Sequence, residues 1–253
     1  MCGQAARAQG EVMISVTSLT KRYGPVVAAD DVTFNCEPGT ITGFLGPNGA
    51  GKSSTLRMIA GLARPDSGQA TIAGRRFADL PNPARLVGAL LDASALHAGR
   101  TGRETLRIAA TVAGVPSGRA GELLDAVGLA GAGRRRVGGY SLGMRQRLGL
   151  AQALIGSPAV LILDEPANGL DPDGIAWIRA LLRDFAGRGG TVLLSSHLLA
   201  EIQAVADQLV IISGGRIVAR GALIDLLAGP GQSLEKMFLA LTGAGARAGA
   251  VSR

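Results

Sequence analysis

Cysteine is nearly missing from this chain: its 253 residues hold two, Cys2 and Cys36. Two thiols cannot build a disulfide framework, so a packed core must hold the fold, and the expected location is the reducing cytoplasm. Aromatic residues make up only 3% of the sequence, which leaves few platforms for stacking unpaired bases and argues against a single-strand-binding protein. No uninterrupted apolar run reaches the roughly 18 residues that a membrane-spanning helix needs. The longest candidate, LGLAQALIGSPAVLIL, is broken by Gly156, Ser157 and Pro158. The opening MCGQAARAQGEV has neither an apolar stretch nor a cleavage site, so Cys2 is not expected to carry a lipid. Residues 1–12 read as a loose tail, and the start is Met1 or Met13. Lysine is confined to Lys21, Lys52 and Lys236, so the net charge of +7 is nearly all arginine scattered among Ala and Gly. That pattern reads as compositional bias rather than a nucleic-acid face. Internal repeats are also missing: the chain carries each of its motifs once.

What is present is enough for an ordinary core, with 47% apolar residues. The first third alternates in strand fashion through VMISVTSL, VVAADDVTFNCE, ITGFLG, GQATIAG and LVGALLD. Helical spacing begins after Gly51, where Leu56, Ile59 and Ala60 fall on one side. From Thr101 to Val137 the pattern is helical and punctuated by glycine, with Arg134 to Arg136 as its solvated exit. A helix is expected from Leu142 to about Ile155, followed by two near-continuous apolar strands, AVLILDE and TVLLSSH, of the kind buried in a parallel sheet. The expected class is α/β, a phosphate-loop core with a mostly parallel sheet, an N-terminal antiparallel β subdomain and an inserted helical subdomain. The boundaries read as a tail over 1–12, one domain over 13–243 with the helical part at about 93–157, and a tail over 244–253.

The strongest chemical signal is Gly46-Pro47-Asn48-Gly49-Ala50-Gly51-Lys52-Ser53, directly after the strand ITGFL and directly before a helix. Glycines let a backbone wrap phosphates, Lys52 reaches β- and γ-oxygens, and the Ser53 hydroxyl suits Mg²⁺. The second signal is Asp164-Glu165 at the end of a buried strand: Asp164 suits Mg²⁺, and Glu165 suits polarising an attacking water. His197 ends the next such strand, at the same expected edge, where an imidazole can meet a γ-phosphate oxygen. His97 has no such placement and reads as a loop residue. In GGYSLGMRQRLG, Ser141 opens a helix that carries Arg145 and Arg147, a second anion site.

Together these residues closely resemble the ATP-binding subunits of ABC transporters, from Tyr23 to about Gly243. The motifs stand in family order: KRYG, the phosphate loop, the signature YSLGMRQR, LILDEP, NGLDP and SSHLL. The resemblance implies that Tyr23 stacks on adenine, that Ser54 joins the phosphate loop around ATP, and that Asp171 speaks across a dimer interface. It also implies that Ser141, Gly143 and Met144 contact the γ-phosphate of a nucleotide held by a second subunit, either a copy of this chain or a relative. Asp92 stands where the family usually has glutamine, in the loop between the Mg²⁺ site and the membrane partner; an aspartate there still binds Mg²⁺ or orients water. Asn168 stands where serine is commoner. YSLGMRQRLG and the ending SLEKMFLALTG resemble the drug and antibiotic exporter branch, of the bacitracin and daunorubicin-resistance type. The implied protein is a peripheral ATPase at the cytoplasmic face of the plasma membrane, using ATP and Mg²⁺, partnered by an integral-membrane permease and without nucleic acid. The alternative of an ABC ATPase acting on ribosomes or nucleic acid has only the basic charge in its favour. A phosphate-loop kinase or GTPase is disfavoured, since no N-K-x-D motif occurs.

Overall fold

The computed structural model describes residues 13–229 and 233–248. In chain order the strands are β1 (Ile14–Tyr23), β2 (Val26–Cys36), β3 (Ile41–Leu45), β4 (Ser67–Ile72), β5 (Val87–Leu90), β6 (Val160–Asp164), β7 (Thr191–Ser195), β8 (Gln208–Ser213) and β9 (Arg216–Ala222). The helices are α1 (Lys52–Ile59), α2 (Pro83–Leu86), α3 (Gly102–Ala113), α4 (Arg119–Ala126), α5 (Leu142–Leu154), α6 (Pro172–Gly187), α7 (Leu199–Val205), α8 (Leu223–Leu226) and α9 (Leu234–Ala248). The tail expected over 1–12 lies outside the described residues, and α9 continues to Ala248, past the boundary expected after Gly243.

Two sheets form. One is antiparallel, in the order β2-β1-β4; the other runs β5-β6-β7-β3-β8-β9, parallel from β5 to β8 and closed by β9, antiparallel to β8. The parallel strands are the ones whose sequences are apolar throughout: every residue of β3 is buried, as are the first four of β6 and all of β7. This follows from having layers on both faces. On one face Phe34, Phe44, Leu56, Ile59 and Ile162 share a cluster that joins the antiparallel sheet and α1 to the parallel sheet. On the other, Leu161, Leu163, Ile178, Leu182 and Ile202 join it to α6 and α7. Each such fully buried side chain contributes about 1.5–3 kcal/mol. The helices between 93 and 157 hold a third cluster of their own, with Leu106, Ala110, Leu124, Val137 and Leu148 at its centre. Thr101 and Glu104 start α3 with a reciprocal capping box. Arg134, Arg135 and Arg136 are exposed, as the sequence suggests. Cys36 is wholly buried, and burial pushes its thiol up to about 12, so it stays protonated and inert.

The hairpin of β8 and β9 is a feature the sequence reading passed over. Gly214 and Gly215, both with positive φ, turn the chain between them, a glycine pair of the kind that marks tight hairpins. β8 lies directly beside β3 and is buried at four of its six positions.

Candidate functional site

Because β5, β6, β7 and β3 are parallel neighbours, their C-terminal ends leave the sheet at one edge. Asp92 follows β5, Asp164 ends β6, His197 follows β7 and the loop Gly46–Gly51 follows β3. Crevices at this edge of an open α/β sheet are where ligands bind. Here the cleft has a volume of about 630 Å³. Tyr23, Asn48, Gly49, Gly51, Lys52, Ser53, Ser54, Asp92, Asp164 and Glu165, all singled out from sequence, line it.

The loop's shape is forced by two glycines. Gly51 sits at φ +105°, and a Cβ there would lie 1.9 Å from the Ala28 carbonyl oxygen. A Cβ on Gly46 would lie 2.4 Å from the Ile212 carbonyl oxygen, on the neighbouring strand β8. Pro47 accepts a hydrogen bond from the Ala50 N–H at 3.1 Å, closing the turn. The loop then enters α1, whose N-terminus has no side-chain cap and no acidic residue in its first turn, so its amides and dipole are left for an anion. Lys52 is 7% exposed and folds back over the loop, with Nζ donating to the Gly46 and Pro47 carbonyl oxygens at 2.6 and 3.2 Å. Burial lowers the pKa of its ammonium, while the carboxylates of Glu165 and Asp164 pull the other way. The ammonium is thus a charge held in a partly dry place with its natural counter-ions nearby.

The acidic pair is positioned by β7. Ser195, opposite Asp164 in the ladder, donates its hydroxyl to Asp164 Oδ1. The Glu165 N–H bonds both the backbone oxygen and the hydroxyl of Ser195, each at 3.2 Å. Glu165 has φ +51°, a left-handed conformation that costs a non-glycine residue about 1–2 kcal/mol. Strain of this kind persists only where surrounding bonds over-determine it, and it gathers at working sites. Its carboxylate is met by His197, whose Nδ1 lies 2.6 Å from Oε2 and whose N–H donates to the same oxygen at 3.2 Å. Glu165 and His197, proposed separately from sequence, are one hydrogen-bonded unit. Asp92 is exposed at the cleft wall, where Oδ1 accepts from the Ser94 N–H at 2.8 Å and from the Ser94 hydroxyl at 2.6 Å. Those bonds, with Arg57 adding to them, hold its carboxyl below the usual range. Tyr23, half exposed at the β1–β2 hairpin, has Lys21 Nζ 5.3 Å from its ring centroid.

The signature segment borders this cleft with only part of its residues. Ser141, Gly143, Met144 and Asp171 do not line this cleft, although Leu142, Gln146 and Asn168 do. Ser141 caps α5 by accepting from the Met144 N–H at 3.3 Å, and Asp171 caps α6 by accepting from the Gly174 N–H at 3.0 Å. The two caps interlock: a Cβ on Gly143 would lie 2.9 Å from the Gly169 carbonyl oxygen, and one on Gly169 would lie 2.5 Å from Leu142 Cδ2. The sequence view of Arg145 and Arg147 as parts of an anion site needs correcting for Arg147. Its Nη1 donates to the Val127 carbonyl oxygen at 3.2 Å and its guanidinium lies over Trp177, 4.9 Å from the ring centroid. That bond and the stacking hold it against the helical layer. Arg145 Nη2 donates to the Gly138 carbonyl oxygen at 3.3 Å. His97, a loop residue as expected, accepts from the Gly99 N–H through Nδ1.

Sequence reasoning missed Gln146, Ser195 and Glu201. Glu201 is buried on α7, and burial raises its carboxyl above the ordinary 4.5; Arg179 opposes this, Glu165 adds to it and His197 opposes it. A raised native pKa contributes stability that is complete below the unfolded value and is lost as pH climbs through the native one. Glu201→Gln is therefore expected to unfold at a higher temperature than the parent at pH 7.5, with the gap closing toward pH 4.5, as followed by thermal melts. A lower midpoint at pH 7.5 would mean that attraction to Arg179 outweighs burial.

Comparison with known proteins places this geometry. The family model described as ABC transporter matches residues 29–168. The chain is 43% identical over 209 residues to the bacitracin transport ATP-binding protein BcrA of Bacillus licheniformis, covering 81% of this chain and 68% of that protein. It is 39% identical over 226 residues to the daunorubicin resistance ATP-binding protein DrrA3 of Streptomyces coeruleorubidus, covering 87% of this chain and 72% of that one. Among solved structures, an ATP-binding subunit of an ABC transporter superposes with a TM-score of 0.83 at 31% identity, covering 90% of this chain and 99% of its own.

Proposed function

The chain belongs to the ABC transporter family as an ATP-binding subunit that hydrolyses ATP, and from that premise we propose that it is half of a two-chain motor driving an integral-membrane exporter. The observation that carries the two-chain reading is the placement just described. The turns that open α5 and α6 pack on each other through Gly143 and Gly169. Leu142, Gln146 and Asn168 border the chain's own cleft, while Ser141, Gly143 and Asp171 do not line it and are left to meet a nucleotide held by a second chain. That second chain is a copy of this one, the symmetric arrangement that most oligomers adopt. ATP in the cleft then joins the pair, and its cleavage separates them.

In this reading the triphosphate takes the α1 amides and Lys52, with adenine against Tyr23. Ser53, Asp164 and Asp92 are oxygen donors lining the cleft, and among the described residues no three acidic, His or Cys side chains form a cage of their own. This fits Mg²⁺, which keeps waters and takes one or two carboxylates plus phosphate oxygens, and which would neutralise charge on the phosphates. Glu165 accepts a proton from the attacking water, and His197 fixes the carboxylate that does so. Lys52 and the partner's Ser141 backbone stabilise the charge that grows on the γ-phosphate.

The cargo reading, drugs, antibiotics or lipids moved outward, rests on the relatives that transport bacitracin or resist daunorubicin. Residues 13–243 form the working unit, with the helices at about 93–157 meeting the permease. A groove of about 370 Å³ lies between β5 and α3, lined by Leu96, Ile108 and Val112 with Arg100 at its side, and it adjoins the Asp92 loop. Among the described residues no helix is long and apolar enough to cross a membrane, so a peripheral place at the cytoplasmic face is proposed. Co-purification under mild detergent tests this role: a polytopic membrane protein is expected in stoichiometric yield. Recovery of ribosomes or nucleic acid instead would favour the alternative, for which only the charge of +7 speaks.

A further inference from the structure

Gln146 lies five residues into the signature helix, about 7.5 Å along its axis from the Ser141 cap. It is 7% exposed, and Nε2 donates to the Glu165 carbonyl oxygen at 3.3 Å. The same carbonyl accepts from the Asn168 N–H at 3.1 Å, so two groups converge on the main chain of the strained catalytic residue. The direction of the amide follows from the acceptor it faces: with the ends exchanged, Oε1 would meet the Glu165 oxygen and no hydrogen bond would form. Oε1 is also buried and has no hydrogen-bond partner.

We propose that Gln146 is a positioning residue that ties the signature helix to the backbone of the same chain's general base, Glu165. The consequence concerns both pockets of the dimer, and it rests on the two-chain reading above. When α5 is drawn onto the partner's nucleotide, its own Gln146 moves with it and sets the turn from Glu165 to Asn168, hence the carboxylate aimed at this chain's own ATP. Occupation of one pocket is thereby read by the base in the other. Leu142 against Gly169, one turn earlier on α5, gives the same helix a second grip on that turn.

The test is Gln146→Leu, with Gln146→Met as the unbranched replacement should leucine fold poorly. Steady-state ATPase kinetics and thermal melts of the full chain are the two readouts. The expected result is a fall of about tenfold in kcat, with KM for ATP within about twofold of the parent and a melting midpoint within about 4 °C of it. An unchanged kcat would overturn the proposal. So would a kcat that falls only in step with the melting midpoint, which is what a merely structural glutamine would give. A parent chain that turns over normally beside an equally active Gln146→Leu refutes this inference alone. A parent chain with the same rate per molecule at every dilution refutes the two-chain reading, and the inference with it.

Discussion

Glu165→Gln is expected to slow ATP hydrolysis by about a hundredfold to ten-thousandfold, the loss that follows removal of a general base. The geometry makes the substitution clean. Glutamine keeps the length of the side chain, and its oxygen still accepts from the His197 N–H that now donates to Glu165 Oε2. The backbone bonds to Ser195, Asn168 and Gln146 do not involve the carboxylate at all. What disappears is the proton acceptor, together with the charge that faces the Lys52 ammonium. ATP binding is therefore expected to persist, and the ATP-loaded pair, unable to pass to the cleaved state, to accumulate. Single-turnover release of phosphate measures the first effect, and size-exclusion chromatography with and without ATP the second. A variant that hydrolyses ATP at the parent rate would remove Glu165 from the role assigned to it.

Lys52→Ala is expected to act one step earlier. Its ammonium is buried and spends its donors on the Gly46 and Pro47 carbonyls. A triphosphate offers charged oxygens in their place, and such charge-assisted bonds are worth about 1.5–3 kcal/mol. Affinity for ATP should fall by roughly 10- to 100-fold, and turnover by more, since the contact strengthens as charge develops. Alanine also removes the donor to the buried Gly46 carbonyl oxygen, so a thermal melt of the variant accompanies the titration. Fluorescence titration with a labelled nucleotide measures the affinity. Parent-like binding would mean that the α1 amides alone hold the phosphates.

Both expectations concern residues that the sequence made legible, and the reason is local. The phosphate loop needs consecutive residues with fixed backbone demands, and Gly46 and Gly51 are glycines because the carbonyls of Ile212 and Ala28 leave no room for a Cβ. Apolar strands such as AVLILDE announce burial on both faces, so the acidic pair at the end had to sit at the sheet edge. What the sequence hid depends on tertiary proximity. Ser195 is one serine among several until β7 is laid beside β6. Gln146 sits between two conspicuous arginines, and only the fold shows that Arg147 stacks on Trp177 while Gln146 reaches Glu165. Glu201 is one acidic residue among many in the sequence, and only the fold shows it buried on α7 beside Ile202. The β8–β9 hairpin is signalled by Gly214-Gly215 and by the half-buried alternation of β9, but that β8 lies beside β3 depends on tertiary proximity.

The most direct measurement uses two crippled chains together. Lys52→Ala spoils the cleft and leaves the signature intact; Ser141→Arg fills the signature cap and leaves the cleft intact. Alone, each is expected to be inactive. Mixed in equal amounts and allowed to exchange, half of the pairs join one of each, and every such pair holds one whole pocket. ATPase activity should then rise well above either component, to at most about a quarter of the parent rate per chain, or about a fortieth where the empty second pocket withholds the tenfold assigned to Gln146. A mixture as inactive as its components would contradict the account, since it would mean that cleft and signature serve the same nucleotide within a single chain.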